Sequence, residues 1–149
     1  MVFPFHSVTK SAEETQALGE RLGAYFLKNG DIQCPVFFWG DLGSGKTTFV
    51  QGFAKGLGIV KRLLSPTFII VRHYDIPNTV RKLYHFDLYR FVDQKEVVMV
   101  GLSEILEEPQ AVVCVEWPER LGTLLPKERI DVRCKLNSDG THDIDIMKA

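Results

Sequence analysis

The run Val36-Phe37-Phe38-Trp39 leads straight into Gly40-Asp41-Leu42-Gly43-Ser44-Gly45-Lys46-Thr47. That segment satisfies G-x-x-x-x-G-K-[ST] in full, the pattern of a phosphate-binding loop. A continuous apolar run without polar alternation predicts a strand buried on both faces. The stretch from Thr47 to Leu57, stopped by Gly58, predicts a helix. Glycines allow successive backbone N–H groups to turn toward one phosphate, and the helix N-terminus adds its positive dipole end at the same point. Lys46 can then reach the β- and γ-phosphates, the Thr47 hydroxyl can ligate Mg²⁺, and Thr48 adds a hydroxyl near the α-phosphate. A glycine-rich turn that merely carries a lysine does not require this strand–loop–helix setting. The signal names a nucleotide without naming a reaction.

The rest of the chain predicts a single α/β domain with a mixed sheet flanked by helices, spanning 1–149. An extended piece around Val2–Ser7 precedes Ser11-Ala12-Glu13-Glu14, a capping-box pattern, and Leu18, Leu22, Tyr25 and Phe26 then form one helical stripe that closes at Asn29-Gly30. Thr67–Val71 and Lys82–Leu88 read as strands of a hairpin turning at Asp75-Ile76-Pro77-Asn78. Glu96–Leu106 reads as a helix ended by Pro109. Ala111–Val115 reads as a second buried strand, and Ile130–Leu136 and His142–Met147 flank a Ser138-Asp139-Gly140 turn.

Bulk properties narrow the class. The 149 residues suffice for one core and not two. A net charge of −1 gives no bulk electrostatic case for autonomous RNA binding. Lys61-Arg62 and Arg81-Lys82 are short basic pairs whose ordinary role is a solvated surface. Cys34, Cys114 and Cys134 lie in or beside apolar runs, as reduced buried thiols do, and no C-x-x-C pair points to zinc. Without a signal-like start or an apolar run near the roughly 18 residues of a span, a cytoplasmic protein with no membrane association is expected.

Two carboxylates end suitable strands. Asp87 closes Leu83-Tyr84-His85-Phe86 and Glu116 closes Ala111–Val115. Either can hold Mg²⁺ beside a phosphate loop, and a glutamate at a strand tip can also orient an attacking water; a solvated strand end is the plain alternative. His85, Asp87 and Tyr89 alternate toward one face, so His85 can hydrogen-bond Asp87 or a water, or serve structure alone. Arg90 can pair with a phosphate, with Asp87 or with a surface carboxylate. Ser65-Pro66-Thr67-Phe68 is either a loop whose threonine contacts Mg²⁺ or the γ-phosphate, or a proline-set turn.

A GTPase would carry N-K-x-D and D-x-x-G, which are missing. A small-molecule kinase shares the loop, but the chain leaves little room for a lid and an acceptor site. A nucleotide-gated adaptor with little turnover is the third class. The motifs together resemble the TsaE family, also called YjeE. The likeness rests on Gly40–Thr48, Ser65-Pro66-Thr67-Phe68, Tyr84-His85-Phe86-Asp87-Leu88-Tyr89-Arg90 and Glu116-Trp117-Pro118-Glu119, with a shorter match over Glu13-Glu14-Thr15 to Leu18-Gly19. The resemblance implies a small Mg-dependent ATPase that acts with TsaB and TsaD in placing threonylcarbamoyl on adenosine 37 of tRNAs reading ANN codons. It implies contact with tRNA only through that complex. It assigns nucleotide binding to Gly40, Asp41, Leu42, Gly43, Ser44, Gly45, Lys46, Thr47, Thr48, Thr15 and Trp117. Lys46, Glu116, Asp87 and Thr67 are assigned to catalysis, and Thr47, Glu116 and Asp87 to the metal. Ser44 stands where alanine is usual in that family.

Overall fold

The computed structural model describes residues 1–30, 34–64 and 69–149. Strand β1 (Phe5–Thr9) is followed by α1 (Ala12–Asn29), β2 (Val36–Trp39), α2 (Lys46–Gly56), β3 (Val71–Asp75), β4 (Lys82–Asp87), α3 (Gln94–Met99), α4 (Leu102–Leu106), β5 (Ala111–Glu116), a 3-10 segment (Pro118–Leu124), β6 (Ile130–Leu136) and β7 (His142–Lys148). The strands form one mixed sheet in the order β1-β7-β6-β2-β5-β4-β3. The inner strands β6, β2, β5 and β4 run parallel, while β1, β7 and β3 pair antiparallel at the two flanks. Val36, Phe37 and Phe38 are fully buried, as a strand covered on both faces requires.

Period-two alternation sorts side chains onto two cores. Val36 and Phe38, Val112 and Cys114, and Ile130 and Val132 face α1 and α2. Phe37, Phe86, Val113 and Val115 face the side of α3, α4 and the 3-10 segment. Phe26 and Phe53 meet edge to face at 5.1 Å between ring centroids in the first core.

Helix α1 starts as its sequence predicts, with one adjustment. Ser11 Oγ accepts from the Glu14 N–H at 3.1 Å, but the Glu14 carboxylate reaches back to the N–H of Lys10 at 2.7 Å and not to that of Ser11. Gly30 closes the helix in the left-handed region, at φ 69°. Two expectations need correction. The expected helix over Glu96–Leu106 is two short helices, α3 capped by Asp93 and α4 by Gly101, because Gly101 takes φ 77° and breaks the ladder. Among the described residues the first hairpin strand begins at Val71. Ile70 is left-handed at φ 74°, so the β-branched run ends its own pairing; residues 67 and 68 lie outside those described.

Helix α1 packs on α2 backbone to backbone. A Cβ on Gly52 would lie 1.9 Å from the Gln16 carbonyl oxygen, one on Gly19 2.2 Å from that of Phe49, and ones on Gly23 and Gly56 2.2 Å and 2.1 Å from those of Phe53 and Glu20. Both helices thus carry a G-x-x-x-G face, and the two faces interlock. In a helix interior, glycine to alanine ordinarily gains about 0.5–1 kcal/mol. Overpacking a rigid backbone contact costs about 1–3 kcal/mol, so the steric term wins here. Gly52→Ala is expected to destabilise the chain, lowering the thermal midpoint in calorimetry by several degrees.

Candidate functional site

The site sits at the carboxyl ends of the parallel strands, the usual ligand edge of an open α/β sheet. The loop from Gly40 to Gly45 leaves β2 there and feeds α2. Gly40, Gly43 and Gly45 all have positive φ, at 144°, 77° and 101°. Gly45 caps α2 without any side-chain hydrogen bond, so the first-turn N–H groups are left for another acceptor. Such a nest of donors at a helix start suits an anion.

Lys46 is 95% buried by residue surface, at 5% exposure. Its Nζ donates to the Gly40 carbonyl and, at 2.9 Å, to that of Asp41, and it lies 4.4 Å from the centroid of the Trp117 ring. Burial lowers its pKa, and the Glu116 carboxylate acts in the opposite direction. Ser44 Oγ is buried without a partner among the described residues.

The carboxylates reach this edge by strand register. On β4 the α2-facing positions are Leu83, His85 and Asp87, and on β5 they are Val112, Cys114 and Glu116; His85 pairs with Cys114 and Asp87 with Glu116. Each strand therefore turns from apolar to polar as it nears the loop. Glu116 Oε1 accepts from the Thr47 hydroxyl at 3.2 Å, and Oε2 lies 2.6 Å from His85 Nε2. Asp87 Oδ1 accepts the Tyr89 N–H at 2.9 Å, which turns the chain away from β4. Trp117 follows Glu116 in the left-handed region, at φ 60°, and its ring meets Tyr89 at 5.0 Å. Among the described residues no group of three His, Cys, Asp or Glu side chains gathers as a metal cage. The oxygen donors present suit a hard cation that keeps much of its water.

The TsaE family model, "Threonylcarbamoyl adenosine biosynthesis protein TsaE", matches residues 9–144. The chain belongs to the TsaE family. It is 42% identical over 136 residues to the tRNA threonylcarbamoyladenosine biosynthesis protein TsaE of Bacillus subtilis, covering 91% of this chain and 80% of that one. The protein of the same name from Treponema pallidum is 33% identical over 139 residues, covering 93% and 97%. The crystal structure of Bacillus subtilis YdiB superposes with a TM-score of 0.75 at 30% identity, covering all of this chain and 88% of that one. The mixed, helix-flanked sheet is thus the α/β architecture expected for a P-loop fold.

A TsaE-family chain of this sequence draws most of its anticipated site residues around one cavity of about 350 Å³. Leu42 to Thr48, Thr15, Asp87, Glu116 and Trp117 all line it. Gly40 and Asp41 do not; they hold Lys46 through their carbonyls. Thr67 lies outside the described residues. Thr15 enters from α1, its hydroxyl 2.6 Å from that of Thr9. His85 pairs with Glu116 across strands and not with Asp87, because the parallel register sets it two positions behind the strand tip. His142 escaped sequence reasoning. It opens β7, lines the cavity, and its Nδ1 lies 2.7 Å from the Ser44 carbonyl oxygen. Nothing local in the sequence signals it, since the contact spans most of the chain. No described helix is long and apolar enough to cross a membrane.

The thiols nearby are shielded. Cys134 is pushed up to about 12 chiefly by burial, and the buried Cys114 thiol is raised well above its usual range. The thiolate is the reactive species, and at pH 8 a thiol of that pKa is only ~10⁻⁴ ionised. Native protein at pH 8 is expected to leave Cys114 and Cys134 unmodified by a thiol-directed chromogenic reagent, with both reacting promptly once denaturant is added.

Proposed function

We propose that this chain is a Mg-dependent ATPase that works with TsaB and TsaD in threonylcarbamoylation of adenosine 37 in ANN-reading tRNAs, touching tRNA through that complex. The observation that carries the reading is the hydrogen bond from Thr47, first hydroxyl of the P-loop helix, to Glu116 at the tip of the adjacent strand. It brings a hydroxyl and a carboxylate to the mouth of an uncapped helix start that also holds Lys46. This donor set fits a triphosphate and its cation. The loop N–H groups and Lys46 answer the phosphates' negative charge, and the unpartnered Ser44 hydroxyl stands inside the same loop. Thr47, Glu116 and Asp87 supply hard oxygen ligands.

Thr47, Glu116 and Asp87 would hold a Mg²⁺, whose chemistry there would be to neutralise negative charge on the phosphates. The chain's own residues do the rest. Lys46 binds and orients the phosphates, and Glu116 positions a water and accepts its proton. Trp117 walls one side of the cavity, and its ring packs against that of Tyr89. Thr67, outside the described residues, is assigned a γ-phosphate contact. No arginine lines the cavity among the described residues, and an arginine held in such a site is worth several orders of magnitude in phosphoryl transfer, so turnover by the chain alone should be slow and should rise with its partners.

Lys46→Ala is expected to abolish tight ATP binding in calorimetric titration. Glu116→Ala should keep ATP binding within a few-fold while phosphate release falls about a hundredfold or more, the scale of general-base loss. Reconstitution of tRNA modification with TsaB and TsaD, with and without this chain, tests the whole reading; modification indifferent to its omission, or a hydrolysis rate unmoved by partners and tRNA, refutes the assignment.

A further inference from the structure

Of the polar side chains around Glu116, His85 has no role in the reading above. It sits on β4, 1% exposed, one turn of the strand alternation behind Asp87. On that face it follows the buried Leu83 and stands opposite the buried Cys114, where an aliphatic residue would pack without a polar atom to satisfy. Instead Nε2 meets Glu116 Oε2 at 2.6 Å, while Nδ1 is buried without a partner among the described residues. An unpartnered buried polar atom costs about 1–3 kcal/mol. A histidine is therefore a poor choice for packing alone, and the one thing it supplies that leucine cannot is the Nε2–H.

Glu116 needs that donor. It is 2% exposed, and a carboxylate so buried is tolerated only when hydrogen-bonded. Thr47 engages Oε1 and His85 engages Oε2, so the two contacts fix the carboxylate plane from opposite ends. Without His85 the carboxylate is free to rotate about its terminal torsion, which is broad for glutamate. We propose that His85 is a positioning residue: its Nε2–H clamps Glu116 Oε2 and thereby keeps Oε1 aimed at Thr47 and the cavity. The inference rests on the ATPase reading for its kinetic consequence and on geometry alone for the clamp. His85 acts through Glu116 and touches no phosphate itself.

The clamp is tested first in the nucleotide-free chain. Proton–nitrogen NMR of the imidazoles should show a hydrogen-bonded His85 Nε2–H resonance that moves upfield in Glu116→Ala; a resonance absent or unmoved overturns the pairing. The kinetic consequence is read by a double-mutant cycle. His85→Leu should lower kcat for ATP by about tenfold to a hundredfold, the range found when a group supporting a metal-site ligand is removed, with ATP affinity within about threefold. In a Glu116→Ala background the same change should alter kcat by less than about twofold. An undiminished kcat in His85→Leu, or an equal loss in both backgrounds, overturns the positioning role. Should His85→Leu fail to fold by circular dichroism, His85→Gln and His85→Asn decide. Glutamine carries an amide donor near the Nε2 position and should retain most of kcat; asparagine carries it near Nδ1 and should not. Equal kcat in these two overturns the inference. If the unaltered chain releases no phosphate with or without its partners, the ATPase reading fails and takes the kinetic role with it, while the NMR result still stands or falls independently.

Discussion

The direct contact between the backbones of α1 and α2 governs where everything else can be. Side chains ordinarily hold helix axes 8–10 Å apart, and here Gly19 and Gly23 on one helix meet Gly52 and Gly56 on the other with no side chain between. The orientation of α2 is therefore set by covalent geometry and carbonyl positions, which do not adapt as rotamers do. Since α2 begins at Lys46, the same contact fixes the direction in which the loop's N–H groups point. Thr15 lies on α1 one turn before Gly19, so the helix that braces α2 also brings a wall of the cavity with it.

The opposite wall comes from the sheet, through a gradient along two strands. Leu83-His85-Asp87 and Val112-Cys114-Glu116 occupy one face, and parallel register sets like positions side by side. The buried ends anchor in the core shared with α1 and α2, and the polar ends arrive where α2 starts. A hairpin could not do this, because antiparallel neighbours would send one polar end to the far edge of the sheet. The cross-sheet α3–α4 connection, broken at Gly101, is what lets β4 and β5 run parallel while its apolar side chains cover the second core.

How much of this was legible depended on range. The strand before the loop, the loop, the α1 cap and the hairpin from Ile130 to Lys148 declare themselves through local pattern, and each lies where the sequence puts it. Ile70 and Gly101 misled because local propensity says nothing of the left-handed conformations the tertiary structure imposes. Asp87 and Glu116 were found as strand-end carboxylates, but their division of labour was not. It follows from register: Glu116 stands on the strand beside β2 and so faces Thr47, whereas Asp87 is one strand farther out and its Oδ1 holds the Tyr89 N–H. His142 and the two interlocked glycine pairs are contacts between segments remote in sequence, which no window of residues can reveal.

Trp117 gains a physical account that sequence alone could not supply. Left-handed φ in a bulky non-glycine residue costs of order 1–3 kcal/mol and persists only where surroundings over-determine it. Here the turn lets Glu116 end β5 pointing into the site while the next side chain swings back over Lys46 and onto Tyr89. An ammonium over an indole face regains about 0.5–2 kcal/mol, comparable to the strain. The indole also desolvates Lys46, whose lowered pKa reflects that burial against the pull of Glu116. On the proposed reading, a phosphate entering the loop competes with two backbone carbonyls and this aromatic face for one ammonium. The lysine's exchange of partners then disturbs Trp117, and through it the Tyr89 ring and the Arg120 side chain, which donates to the Tyr89 carbonyl at 3.5 Å. On that reading, the contacts from Lys46 through Trp117 and Tyr89 to Arg120 lie along the route from the loop to the outer surface beyond β4.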